Sequence, residues 1–422
     1  MTRLPELVIK GGSVLTEDGM ARLDVRIVDG RVAELAADLD GSTIVDASDA
    51  WVGPGFVDLH THLRDPGELW KEDIGTGTAA AAAGGYTAVV AMPNTVPTID
   101  NAQTATYVSE QGRNVGSADV YPAGAITLGR QGERMAHIDE MWHAGVRLFT
   151  DDGTSVTNSS VLRLAMEYVK NLGGVVAQHA VDSSMSATGF MHEGAVSSRL
   201  GMPGIPAVAE EIVIARDLAL VRLTGVNYHA QHVSTARGVE LIAEAKSEGL
   251  PVTAEVTPHH LEFDHTDVAS TDPDFKMMPP LRTADDRQAL ADGLRSGVID
   301  VVATDHAPHA AREKEVPFED APNGVLGLEW AGPVAGKIIG LDPTRFFAVM
   351  AVAPARIAQI PDHGLPIGVG NVANITVFAP AETWTPTTTR SRSRNAPYFG
   401  MSLTGRTTAT IRNGRVAHGG AI

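Results

Sequence analysis

Eight short apolar segments alternate with helical stretches, and turn-rich β sequence brackets them at both ends. This pattern predicts an α/β fold: a (β/α)8 barrel with a small β-sandwich formed by both termini. The expected division is residues 1–52 for the N-terminal part of the sandwich, 53–365 for the barrel and 366–422 for the C-terminal part. A chain of 422 residues is long enough for one such barrel.

The N-terminal segment reads as short strands, Leu7–Lys10, Ser13–Leu15, Asp24–Val28 and Arg31–Leu35, with Asp29-Gly30 as a two-residue hairpin turn. The C-terminal segment repeats the pattern with Asn374–Phe378, Thr407–Arg412, Asn413-Gly414 and Arg415–Ala417. Between them the expected strands are Phe56–His60, Thr87–Met92, Asp119–Ala123, Val146–Thr150, Val175–His179, Tyr228–His232, Val252–Val256 and Asp300–Thr304. Helices are expected over Ile74–Ala83, Ser159–Asn171, Ala207–Leu220 and Thr235–Glu248, with Gly84-Gly85 capping the first of them before strand two.

Composition removes several function classes. The formal charge of −18, with no dense Lys/Arg cluster, argues against nucleic acid or an anionic membrane surface as partner. An anionic substrate would therefore need local positive charge from a metal or a placed arginine. With no cysteine, disulfides, zinc ribbons and thiol catalysis are excluded, and any metal must be held by His, Asp or Glu. The first five residues begin no leader-like apolar region and no apolar run reaches membrane-span length, so cytoplasmic residence is expected. No phosphate-binding glycine motif occurs, and Ser183-Ser184 and Ser197-Ser198 lack a nucleophile-elbow context.

Polar residues fall repeatedly at the C-terminal ends of the expected strands, the edge where barrels place their chemistry. His60 and His62, spaced i, i+2, project together from strand one, and Arg64 follows. Asn94 follows strand two, Asp151-Asp152 strand four, His179 ends strand five and His232 strand six. Asp305, then His306 and His309, follow strand eight. A single histidine in an apolar strand such as Val175–His179 is more often a packed core residue, so His179 alone proves little. His229 competes with His232, the two being expected on opposite faces, and only one of Asp151 and Asp152 can face the barrel axis. Asp305 after an almost wholly apolar strand is costly unless paired or metal-bound. Four histidines and two carboxylates suit two divalent ions, zinc first among them, and Asp305 could also carry a proton. His259-His260, after Val252–Thr257, are read either as supporting the site from behind its ligands or as structural.

These motifs resemble the amidohydrolase superfamily, and within it the bacterial class I dihydroorotases. The resemblance runs along most of the chain: FVDLHTHLRDPG at 56–67, GGYTAVVAMPNT at 84–95, FTDDG at 149–153, TAEVTPHHL at 253–261 and ATDHAPH at 303–309. It implies a metal-dependent TIM barrel with the split sandwich, and reversible hydrolysis of L-dihydroorotate to N-carbamoyl-L-aspartate in pyrimidine (UMP) synthesis. It further implies His60 and His62 on one zinc, His179 and His232 on a second, Asp152 bridging them, and Asp305 completing the first shell as general base and acid. His62, Arg64, Asn94, Met278, His309, Asn323 and Gly324 would contact substrate, with Arg64, Asn94 and His309 on its carboxylate. Related hydantoinases and dihydropyrimidinases usually bridge their metals with a carboxylated lysine after strand four, and Val146–Thr150 offers none.

Two positions depart from the family pattern. Met278 stands where a ring-contacting asparagine is usual and cannot supply its donor and acceptor pair, and Asn323 stands where phenylalanine is usual. The alternatives these leave are another cyclic amidohydrolase, acting on a hydantoin, dihydropyrimidine or allantoin, or a non-catalytic partner of aspartate transcarbamoylase. A homodimer and a complex with that transcarbamoylase are the expected assemblies. The polar loop 310–323 is long enough for a lid, with a solvated loop as the plainer reading.

Overall fold

The computed structural model describes residues 6–420; the residues before and after, including the N-terminal five read above for a leader, lie outside that range. The chain opens with β1 (Leu7–Thr16), β2 (Gly19–Val28), β3 (Arg31–Ala36), β4 (Ile44–Asp46) and β5 (Trp51–Pro54). The barrel strands follow as β6 (Phe56–Thr61), β7 (Tyr86–Ala91), β8 (Asp119–Pro122), β9 (Leu148–Phe149) and β10 (Val175–Gln178). After a small excursion, β11 (Met191–His192) and β12 (Gly204–Ile205), come β13 (Asn227–Ala230), β14 (Val252–Val256) and β15 (Val301–Val302). The chain closes with β16 (Ile375–Trp384), β17 (Leu403–Arg412) and β18 (Arg415–His418).

All eight expected barrel strands form, in two parallel sheets ordered β6-β7-β8 and β15-β14-β13-β10-β9. Single parallel bridges, Gly124 with Phe149 and Thr61 with His306, join the two sheets into one ring. The helices fall where the pattern places them, at Ile74–Gly84, Ser159–Leu172, Val208–Thr224 and Ala236–Ser247. The first starts at a capping box between Asp73 and Thr76 and stops at Gly85, whose φ of 102° is the left-handed cap expected of the glycine pair.

Strands from both ends of the chain share one sheet in the order β18-β17-β16-β5-β1-β2-β3, with β4 also on β1. A break between Ile9 and Gly12 splits β1, so its first half pairs with β4 and its second with β5. Gly12 is required there, because a Cβ would come 2.5 Å from the Val52 side chain. Asp29-Gly30 and Asn413-Gly414 both have positive φ at both central residues, the type I′ geometry. A Cβ on Gly414 would collide with Gly30, so the two hairpin turns meet and the sheet closes over a single apolar core that includes Ile9, Ile27, Val52, Ile375 and Ile411. The apolar stretch 51–59 is thus shared: Trp51–Pro54 belongs to this sheet and Phe56 opens the barrel. Among the described residues no helix is long and apolar enough to cross a membrane.

Candidate active site

Val57 and Leu59 pack into an apolar layer with Ala355 and Ile357, so the period-two alternation of β6 puts Asp58 and His60 on the opposite face, which His62 continues. The His60 Nδ1–H donates to Glu255 Oε1 at 2.6 Å, leaving Nε2 directed at Asp152 Oδ1 (3.1 Å) and Asp305 Oδ1 (3.5 Å). The His62 Nδ1–H donates to Asn94 Oδ1 at 2.8 Å, and its Nε2 lies 2.9 Å from Asp305 Oδ1 and 3.4 Å from Asp152 Oδ2. On the far side, His179 Nδ1 and His232 Nε2 are 2.7 Å apart and each 3.6 Å from Asp152 Oδ1. Asp152 therefore stands between two pairs of histidines.

Burial disfavours charge on these carboxyls, but the surrounding imidazoles outweigh it. His60 and its neighbours hold Asp152 well below the usual carboxylate range, and Asp305 is lowered too. Burial equally opposes a proton on His60, and Asp152, Glu255 and Asp305 together raise it. Glu255, which burial alone would raise, is drawn down to about 2 by His60 and His229.

Of the aspartate doublet, Asp151 turns away: its carboxylate accepts from the Ile126 (2.8 Å) and Thr127 (3.0 Å) amides and the Thr127 hydroxyl. His229 sits behind Glu255, donating from Nε2 to Oε2 at 3.0 Å. The expectation that His229 and His232 face opposite ways assumed a strand through residue 232. The strand ends at Ala230, and His232, at φ 30°, has left the extended alternation. His260 is tied to the Pro279 carbonyl (3.0 Å), and burial pushes His259 down to about 4.

Three groups escaped the sequence reading. Glu255 holds His60, His229 and the His232 amide at once. Asp58 accepts from the His60 (3.1 Å) and Thr304 (3.0 Å) amides, and burial pushes its carboxyl up to about 7. Their signal was available, an acid inside a barrel strand otherwise apolar or small. Asn395 had none: its amide donates to Ala307 O and Gly324 O at 3.0 Å each, and its oxygen accepts from the His309 amide at 3.0 Å. A residue of the loop between β16 and β17 thus braces the wall of the site.

The histidines and carboxylates open onto a cavity of about 670 Å3 whose lining includes His62, Arg64, Asn94, Met278, His309, Asn323 and Gly324. Arg64 donates from Nε to Pro308 O (3.2 Å) and its Nη2 lies 3.4 Å from His309 Nε2. Burial, with Arg64 adding to it, pushes His309 down to about 2, so this imidazole is neutral. Arg64, Arg130, His232 and Asp305 all adopt positive φ, a concentration of backbone strain around one cavity.

The loop after residue 309 is pinned rather than free. Buried Lys314 donates to Pro273 O (2.8 Å) and Pro322 O (2.9 Å), and Lys276 donates to Phe318 O (2.7 Å) and Glu319 O (2.8 Å). Burial pushes Lys314 from 10.5 down to about 7. Between those values the unfolded chain binds a proton that the folded chain does not, so stability rises with pH by up to about 1.4 kcal/mol per unit. Below pH 7 the lysine is charged in both states and contributes no slope. Lys314→Met is expected to remove this component, read from urea midpoints of both proteins between pH 7 and 10.

His60 Nε2, Asp152 Oδ1 and His232 Nδ1 are buried without a hydrogen-bond partner. Two triads, His60-His62-Asp305 and His60-Asp152-His232, each bring their ligand atoms within 4.8 Å of one another. Imidazole nitrogens and carboxylate oxygens converging this closely are a donor set that could hold a divalent cation.

A family model described as "Dihydro-orotase-like" matches residues 51–238. The chain is 44% identical over 429 residues to a dihydroorotase of Anaeromyxobacter dehalogenans, covering 98% of each, and 46% identical over 407 residues to a dihydroorotase of Mycobacterium tuberculosis, covering 94% of each. Among solved structures it resembles the L-hydantoinase of Arthrobacter aurescens, with a TM-score of 0.86 and 26% identity over 99% of this chain and 98% of that one. The dihydropyrimidinase of Brevibacillus agri, at 24% identity and a TM-score of 0.83 over 97% and 94%, shares the fold. With near-complete coverage at this identity, the chain belongs to the dihydroorotase family.

Proposed function

We propose that the chain is a zinc-dependent dihydroorotase, interconverting L-dihydroorotate and N-carbamoyl-L-aspartate and running toward ring closure in pyrimidine synthesis. The observation that carries this reading is the meeting of His60, His62, Asp152, His179, His232 and Asp305 at one mouth of the barrel with Arg64, Asn94 and His309 in the same cavity. His60, His62 and Asp305 would hold one ion and His179 and His232 a second, with Asp152 between them. Bound divalent ions would supply Lewis acidity toward the ring carbonyl and lower the pKa of the attacking water.

The chain's own residues supply the rest. Arg64 and Asn94 grip the carboxylate and set the ring against Asp305, and His309 joins them by turning its Nε2–H from the Asn323 carbonyl, to which it donates at 2.9 Å. The Asp305 carboxylate accepts the proton of the attacking water and returns it to the ring nitrogen as the C–N bond breaks. In ring closure the same carboxylate takes the proton from the ureido nitrogen. Glu255 and Asn94 hold His60 and His62 with Nε2 turned inward.

A second reading, another cyclic amidohydrolase, is favoured by Met278 on the cavity wall where it offers no amide to a ring. Zinc-loaded protein assayed with L-dihydroorotate, dihydrouracil, hydantoin and allantoin, beside a chelated control, separates the two. Turnover of dihydroorotate alone, abolished by chelation, is expected. Activity on another ring only would move the substrate and keep the chemistry, and silence on all four with zinc bound would leave the non-catalytic partner of aspartate transcarbamoylase.

The proposal extends to the three-part division 1–52, 53–365 and 366–422, with its first boundary moved to the end of β5 at Pro54 because that strand lies in the sheet both ends share, to cytoplasmic residence, and to association with aspartate transcarbamoylase. It also includes a homodimer. Exposed Leu164 and Tyr168 on one helix and Val208 and Ile212 on its neighbour support self-association.

A further inference from the structure

Two guanidinium groups, not one, border the cavity: Arg64, which the motif supplies, and Arg130, which follows β8. Among the described residues the Arg130 guanidinium makes no direct ion pair, although the Asp152 and Asp151 carboxylates act on it through space. Its side chain makes a single hydrogen bond, from Nε to the Asp151 carbonyl at 3.4 Å. That carbonyl is already held by the Thr154 amide (3.0 Å) and hydroxyl (2.8 Å), so the Asp151-Asp152 turn does not depend on the arginine. A long, charged side chain on a left-handed backbone (φ 57°), near Asp152 and Asp151 but paired with neither and bordering the cavity, is placed for an incoming anion.

Its neighbour indicates which anion. A Cβ on Gly153 would stand 3.1 Å from Arg130 Nη2 and 3.4 Å from Asn94 Nδ2, so the two donors flank one point, kept clear by a glycine at φ 82°. The Asn94 oxygen is engaged by His62, which leaves the Nδ2 protons to donate. Arg130 and Asn94 thus present adjacent unspent donors from one side of the cavity.

We propose that Arg130 is a second arginine for the substrate carboxylate, acting with Asn94, and that it sets the preference for an anionic over a neutral ring. The assignment rests on the dihydroorotase reading and adds to it a residue outside the recognised motifs. The carboxylate in question is the one carried unchanged through the reaction, not the one released by ring opening. Because the overall equilibrium is fixed by the reactants, loss of this contact lowers kcat/KM by the same factor in both directions.

The test compares the parent, Arg130→Gln and Arg130→Lys, each zinc-loaded and matched for metal content and melting temperature. For dihydroorotate, Arg130→Gln is expected to raise KM by about 10- to 100-fold with kcat nearly unchanged, the range of one charged hydrogen bond. Arg130→Lys recovers part of the loss, since it restores charge without the planar fork. Dihydrouracil, the same ring without the carboxylate, is used as a competitive ligand and should bind the parent and Arg130→Gln equally. A KM for Arg130→Gln within twofold of the parent overturns the assignment, as does an equal weakening of dihydrouracil, which would mean that Arg130 only shapes the cavity. Lost metal or stability with unchanged KM would make it a structural prop and overturn it too. A parent that fails to turn over dihydroorotate overturns the functional reading itself, a result separate from all of these.

Discussion

Asp305→Asn lowers turnover of L-dihydroorotate by at least about 10^3-fold, in line with the loss of a positioned general base. Asparagine keeps the size of the side chain and can turn its NH2 to His62 Nε2, now 2.9 Å from the carboxylate, so the barrel still folds. What it cannot do is accept the water proton or deliver it to the ring nitrogen. Single-turnover rates with dihydroorotate, beside a metal assay and a thermal melt, separate this loss from failure to fold or to bind metal. A variant with near-normal turnover would show that another group moves the proton.

Glu255→Gln is the second large effect, and it acts at a distance from substrate. Oε1 accepts from His60 Nδ1 and the His232 amide, and Oε2 accepts from His229 Nε2. Three donors need a group that only accepts. A glutamine offers one oxygen and one NH2, so a buried donor meets that NH2 or His229 must shift its proton to Nδ1, beside the Thr253 hydroxyl. The expected cost is about 1–3 kcal/mol of stability. His60, no longer held, should lose metal affinity by roughly 10- to 100-fold. Dialysis against graded chelator with zinc analysis reads the affinity, and a melt reads the stability. Because the folded carboxyl is lowered from 4.5 to about 2, its contribution is full above pH 4.5 and is lost as pH falls toward 2. The variant should therefore lack that part of the parent's acid-limb stability loss. Unchanged zinc retention would show that the other ligands orient themselves.

Much of this site was legible because local rules decide local geometry. Strand alternation put His60 and His62 on one side, and the turn pairs Asp29-Gly30 and Asn413-Gly414 marked hairpins that form as read. A carboxylate placed straight after an apolar strand, Asp305, gave itself away by the cost of leaving it unpaired. Those same rules could not choose within Asp151-Asp152 or between His229 and His232. Alternation says that neighbours diverge, not which of them faces the axis, and it stops applying where the strand stops.

The sequence by itself determined the layers of this fold, the ligand types that a chain without cysteine can offer, and the edge of the barrel where they gather. Only the tertiary structure decided the partners. Glu255 meets His60 across 195 residues of chain, Asn395 braces His309 from the C-terminal loop across 86, and Arg130 arrives beside Asn94 from the next turn of the ring. Periodicity carries information over a few residues of one strand, whereas these contacts exist only once eight strands have closed and brought their ends to a common mouth.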